Sequence, residues 1–388
     1  MVAKPTLPPA TESNDLNWAF PLLPFSVLLV RSQHGLTMAE KENQHFVPQY
    51  YFRFYSKDQK SISLLNTHSG KTVKTAPIKG QASKSYFYGT AEAENLITEV
   101  ETSFIGTLKK IKNEKTFSAL NEEETLNILQ AFMFQRSRTL SRRKDSKNQQ
   151  NYMARAMAEI AINTSKDLGE SQREELRSFL DFIVADPIPF QSLDMSISIS
   201  NAHELMDLNK IILKNRTKNP FIFSDAPALL INPMQKRVLT HGVLGMRTPG
   251  IIALLPLSPR TAIMLYDKRS YKIQSESKGS LCLKKISDVD ELNKLQVCSA
   301  ASTVYFDDYD FAPYVSKLLN ETKKHIGKPP KIIVQEGTLL DNGEEKEIVH
   351  FFEKQLPISP KLSFMKYSEV DPQSYLIDRS LWNGRSYF

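Results

Sequence analysis

The sequence predicts an α+β fold, with a helical N-terminal half packed against a sheet-rich C-terminal half. Three observations predict it. Between Ala91 and Ile111 apolar residues recur at three- and four-residue steps, the stretch Ile128 to Phe134 is apolar nearly all round, and beyond Pro220 the pattern changes to short apolar runs bounded by Pro, Gly, Asn and Asp.

Taken in order, the dense aromatics from Phe46 to Tyr55 predict extended chain entering a short helix, because Pro48 pushes Val47 out of the helical region. A hairpin follows with Ser69-Gly70 as its turn. Leu96, Ile97, Val100, Phe104, Leu108 and Ile111 then form one face of an amphipathic helix. Asn121, with Glu124 three residues on, starts the next helix as a capping box. Further helices are predicted over Asn148–Ser165 and Ser171–Val184, the second ending before Asp186-Pro187-Ile188-Pro189, and another over His203–Asn215. The runs at 220–223, 228–231, 251–255 and 262–266 read as strands, followed by a helix over Val289–Ala301 and a strand over Thr303–Phe306. A core domain over 38–310, a C-terminal extension over 311–388 packed on it, and a flexible leader or mis-assigned start over 1–37, with Met38 as the natural start, complete the expected organisation.

At 388 residues and 41% hydrophobic side chains, the chain can bury a large core without metals or crosslinks. Cys282 and Cys298 form neither a CxxC pair nor a disulfide framework, the pattern a reducing, cytoplasmic compartment leads one to expect, and both read as buried thiols. The apolar stretch Trp18–Val30 is interrupted by two prolines and is shorter than the ~18 residues of a membrane span, so no membrane partner is expected. The formal charge of +7 favours an anionic partner only mildly, because 43 acidic residues are mixed among 50 basic ones.

Familiar catalytic signatures are absent. Ser69-Gly70-Lys71-Thr72 looks like the end of a phosphate-binding loop, but Leu65 stands where its first glycine should be. There is no GxGxxG, GxSxG or HExxH, and the seven histidines are scattered. What stands out is a set of polar residues in apolar surroundings. His45 suits a general base, a metal ligand, a phosphate contact or a structural histidine on a backbone carbonyl. Glu101 falls inside the apolar arc of its helix while Glu99 points outward, so it needs a buried partner. Arg138, which with Gln135 projects from one side of the next helix, is the candidate, as a clasp between helices or as an active-site pair. Asp225 follows a strand and precedes Pro227, where catalytic acids, metal ligands and ordinary turn residues all occur. The basic run Arg136 to Lys147 reads as a solvated helix end rather than a nucleic-acid groove.

Taken together, these residues resemble the bacterial family catalogued as domain of unknown function 4238. The resemblance rests on His45-Phe46-Val47-Pro48-Gln49-Tyr50-Tyr51-Phe52-Arg53-Phe54, then Tyr88-Gly89 leading to Glu101, then Phe134-Gln135-Arg136-Ser137-Arg138-Thr139. Phe221 to Pro227, Leu255 to Pro259, and Asn293 with Ala301 and Tyr305 follow in order. Phe223 and Ala226 depart from the family's Thr and Asn. Because some members are encoded among anti-phage defence genes, the resemblance implies a nucleic-acid or nucleotide target. The expected function is a nuclease-like hydrolase, with His45 as general acid or base, Glu101 and Asp225 orienting it or holding a divalent metal, and Gln135 with Arg138 gripping phosphate. The alternative is a non-catalytic sensor that uses the same pocket to bind a ligand.

Overall fold

The structure of the protein, a computed structural model, describes residues 43–236, 242–274, 276–325, 332–341, 344–353 and 355–368. The leader expected over 1–37 and the start at Met38 lie outside them.

The chain enters through β1 (Asn43–His45), turns at Pro48 into the short helix α1 (Gln49–Arg53), and forms the hairpin β2 (Ser61–Asn66) and β3 (Thr72–Pro77). Ser69 and Gly70 form its turn. The Asn66 side chain accepts hydrogen bonds from the His68 and Ser69 amides, and Gly70 takes the left-handed φ of 71° that favours glycine. Strand β4 (Ser83–Ser85) pairs antiparallel with β1.

The helical part follows as α2 (Ala91–Glu114), α3 (Glu122–Ser137), α4 (Leu140–Asp145), α5 (Lys147–Thr164), α6 (Glu170–Ser178) and α7 (Pro187–Ser200). The apolar face of α2 buries Ile97, Phe104, Leu108 and Ile111 against α3. Each such side chain contributes roughly 1.5–3 kcal/mol relative to exposure. The Asn121–Glu124 capping box is formed in both directions, at 2.8 and 3.0 Å.

Next come β5 (Asn209–Asn215), β6 (Phe223–Ser224), β7 (Leu229–Ile231), β8 (Ile252–Ser258), β9 (Thr261–Tyr266), β10 (Tyr271–Ile273) and β11 (Ser280–Leu283), then α8 (Ile286–Ser299), β12 (Thr303–Phe306) and α9 (Ala312–Thr322). A five-stranded sheet runs β11-β5-β9-β8-β7, and a four-stranded sheet runs β3-β2-β12-β6. The fold is therefore α+β, with most strands after the helices. Strands β1 to β4 are the exceptions, and of these β2 returns to pair with β12.

Beyond residue 310, α9 buries Val315 and Leu318 against Leu65, Ile222 and Val304. Strands β13 (Ile332–Asp341) and β14 (Glu344–Glu353) pair with each other and adjoin α5, and β15 (Met365–Tyr367) pairs with β10. Among the described residues no helix is long and apolar enough to cross a membrane.

The run at 220–223 is strand only from Phe223, and the helix expected over Ser171–Val184 ends at Ser178. Two further segments differ in kind. Asp186-Pro187-Ile188-Pro189, read as a break, starts α7 instead. Asp186 accepts the Ile188 amide, and both prolines fall in the first turn, where the helix needs no amide donor from them. Conversely, 209–215 is a strand, because pairing between β11 and β9 buries Ile211, Ile212 and Leu213 completely and outweighs local helix propensity. Cys298 is buried, its thiol pushed up to about 12 by desolvation, whereas Cys282 is exposed on β11.

A candidate catalytic cleft between β1, α1 and α2

A cleft of about 560 Å³ lies between the β1–α1 segment and one face of α2. Asn43, His45, Gln49, Arg53 and Lys79 line one side, Glu94, Thr98, Glu101 and Thr102 the other, and Tyr50 adjoins both.

Helix α2 is aimed by its entry. Gly89 adopts φ 89°, which turns the chain from Tyr88 to Thr90, and the Thr90 hydroxyl caps the helix by accepting the Ala93 amide. The Gln44 side chain ties this entry to β1, accepting from the Tyr88 amide and donating to the Thr90 carbonyl. Glu94, Thr98, Glu101 and Thr102 then fall on one stripe of the helix, set by its 3.6-residue period.

Behind the cleft Gln135 of α3 and Arg138, the residue at its C-terminal cap, hold the backbone of the His45 segment. Arg138 is the largest fully buried side chain of the described residues, and it donates to three groups at once: Glu101 Oε1 at 2.5 Å, the Tyr88 hydroxyl at 2.9 Å and the His45 carbonyl. Tyr88 donates to the same carbonyl, and the Gln135 amide donates to the Phe46 carbonyl at 3.0 Å. Two successive carbonyls of the motif are thus pinned from α3, which fixes where the imidazole of His45 can stand. Burial pushes the Tyr88 hydroxyl up to about 12, so it remains a donor at neutral pH.

His45 itself is nearly buried, and its Nε2 lies 3.0 Å from the Lys79 carbonyl. A carbonyl only accepts, so Nε2 carries the proton and Nδ1 keeps a lone pair. Desolvation lowers its pKa below 6.5, and the cations Arg138 and Arg53 act in the same direction against the Lys79 hydrogen bond. His45 is therefore a neutral imidazole at pH 7. A depressed pKa contributes stability that is present above the unfolded value and lost as pH falls through it towards the folded one. Wild-type protein should accordingly lose stability between pH 7.5 and 5, and His45→Gln should lose less, measured as the urea midpoint against pH. Equal losses in both would contradict a neutral His45.

Of the residues singled out from the sequence, His45 and Glu101 line the cleft, while Arg138 and Gln135 stand behind it. Expected to grip phosphate, both instead have their donors committed to protein groups, and Arg138 is 1% exposed. Asp225 does not line the cleft. Its carboxylate accepts from the amides of Ala301, Ser302 and Thr303 and from the Ser302 hydroxyl, 2.7–3.1 Å away, which fixes the start of β12. Desolvation raises its pKa while these four bonds oppose the rise. Glu101 and Asp225 thus do not face one metal position, and among the described residues no group of three or more His, Cys, Asp and Glu side chains could hold a metal ion. Of the basic run, Lys144 and Lys147 are exposed as a solvated end would have them, but the arginines are engaged by the protein. Arg136 and Arg142 pair with Glu353, Arg142 also with Asp194, and Arg143 stacks 3.6 Å over Phe87.

The family model described as "Protein of unknown function (DUF4238)" matches residues 43–310. The chain belongs to this family. No curated protein and no solved structure matches it. The matched span of this DUF4238 chain holds both walls of the cleft, the α3 residues behind it and Asp225. Gln49, Tyr50 and Arg53 entered the sequence reading only within the His45 motif, and Asn43, Lys79, Glu94, Thr98 and Thr102 were passed over. The last three carried a signal, since with Glu101 they mark a polar helix stripe at spacings of four, three and one. Asn43 and Lys79 carried none, the first standing at the start of β1 and the second being brought in by the turn between β3 and β4.

Proposed function

We propose that this protein is a cytoplasmic, nuclease-like hydrolase of nucleic acid or nucleotides, serving in anti-phage defence, with His45 as its proton-transferring group. The observation that carries the reading is a neutral imidazole, with its Nε2–H fixed and its Nδ1 lone pair retained, on the wall of an open cleft that also presents Arg53 and Lys79. A neutral His can accept a proton from an attacking hydroxyl or water and return it to the leaving oxygen. The two cations on the same side neutralise charge on a phosphoryl oxygen. Arg53 has a neutral amide, Gln49, as its hydrogen-bond partner at 2.9 Å, and among the described residues no carboxylate forms an ion pair with it. Glu101, held by Arg138, fixes the opposite wall.

A second reading has its own support. Glu101 and Arg138 are already engaged without ligand, as a binding scaffold would have them, and a sensor would use the cleft without turnover. Expressing wild type and His45→Gln in host cells and comparing RNA, DNA and nucleotide pools decides between the two. The hydrolase reading predicts that wild type depletes one pool and that His45→Gln does so on the order of 10²-fold more slowly, with the purified variant retaining a cooperative melt. Identical pools in both strains under phage challenge would remove the hydrolase reading, and nucleotide binding without depletion would leave the sensor.

A further inference from the structure

We infer that the cleft selects ribonucleotides: a phosphate ester whose sugar carries a vicinal diol. This rests on the nucleotide-directed reading of the same cleft and adds its sugar specificity. The two walls differ in hydrogen-bonding sense. On α2, the Thr98 hydroxyl donates to the Glu94 carbonyl at 2.8 Å and the Thr102 hydroxyl to the Thr98 carbonyl at 2.7 Å, so each has only lone pairs left to offer. The carboxylates of Glu94 and Glu101 on the same stripe are acceptors as well. This wall therefore accepts and does not donate.

The facing wall carries the cleft's two cations, beside the acceptors His45 Nδ1 and the Asn43 amide oxygen. Arg53 and Lys79 only donate, and Gln49 accepts from Arg53 through its amide oxygen, which leaves its amide N–H groups for a ligand. A ligand that satisfies both walls carries an acceptor-rich anion at one end and hydroxyl donors at the other. A 5′-phosphate with a free 2′,3′-diol has that pattern, the carboxylate-to-ribose contact being a general way of holding a sugar diol. A deoxyribose offers one donor fewer, so one acceptor of the α2 wall loses its ligand bond. A phosphate lacking a sugar would engage one wall alone.

Calorimetric titration of the purified full chain with the four ribonucleoside 5′-monophosphates, their 2′-deoxy forms and the unphosphorylated nucleosides tests this. The expected result is that at least one ribonucleotide binds, with its deoxy form about tenfold weaker. Arg53→Gln should weaken both sugar forms alike, and the paired substitution Thr98→Val with Thr102→Val should narrow the gap between them. Both threonines are exposed on α2, and a thermal melt of the double variant shows whether the helix is kept. Equal affinity for ribose and deoxyribose forms overturns the sugar specificity while leaving the nucleotide reading in place. Binding of no nucleotide, together with unchanged nucleotide and nucleic-acid pools in cells, overturns both.

Discussion

Arg138→Ala is expected to destabilise the protein by about 3–5 kcal/mol, the range for removing one partner of a buried ion pair. The substitution leaves the Glu101 carboxylate without its cation and withdraws donors from the Tyr88 hydroxyl and the His45 carbonyl. It also opens space beneath Phe134, over which the guanidinium lies at 4.8 Å. Chemical denaturation should show a lower midpoint with little change in slope. Arg138→Lys keeps the charge but has no planar fork to serve three acceptors, so it should recover only part of the loss. A surface role for Arg138, such as gripping phosphate from solvent, predicts almost no change in stability for either variant.

Asp225→Ala is expected to cost a similar amount, roughly 3 kcal/mol or more, because three backbone amides and one hydroxyl lose their acceptor in a buried place. Asp225→Asn is informative here. It preserves shape but turns an amide N–H₂ towards at least one of those donors, so it should be nearly as damaging as alanine. Nucleotide binding at the cleft should survive in whatever fraction remains folded, since Asp225 does not line it. Loss of binding with unchanged stability would instead make Asp225 part of the site.

Most elements were legible from apolar periodicity and capping residues. The face of α2, the Asn121 capping box and the strand at Thr303–Phe306 all follow local rules. The stretch from Pro187 to Asn215 did not, for two different reasons. Prolines break a helix or begin it according to position in the first turn, which sequence does not fix in advance, and Ile211-Ile212 became strand through pairing with residues more than 50 positions away.

The candidate site divides in the same way. That Glu101 needs a buried cation was readable from its place on the helical wheel. That Gln135 and Arg138 face peptide carbonyls instead of a ligand was not, because a buried donor has the same sequence signature in either role. The two carbonyls they hold belong to the His45-Phe46 segment, about 90 residues earlier in the chain. Asp225 shows the same ambiguity. A carboxylate at a strand end can bind metal or staple a turn, and only the positions of the Ala301, Ser302 and Thr303 amides distinguish the two.

The ring of His45 is the point on which the cleft's chemistry turns, and nitrogen-15 NMR of the imidazoles across pH, in wild type and with His45→Gln for assignment, observes it directly. The account predicts a neutral Nε2–H tautomer at pH 7, a titration midpoint below 6.5, and a shift of the Nδ1 resonance when a ribonucleoside monophosphate is added. A ring protonated at pH 7, a proton on Nδ1, or resonances indifferent to every nucleotide would contradict it.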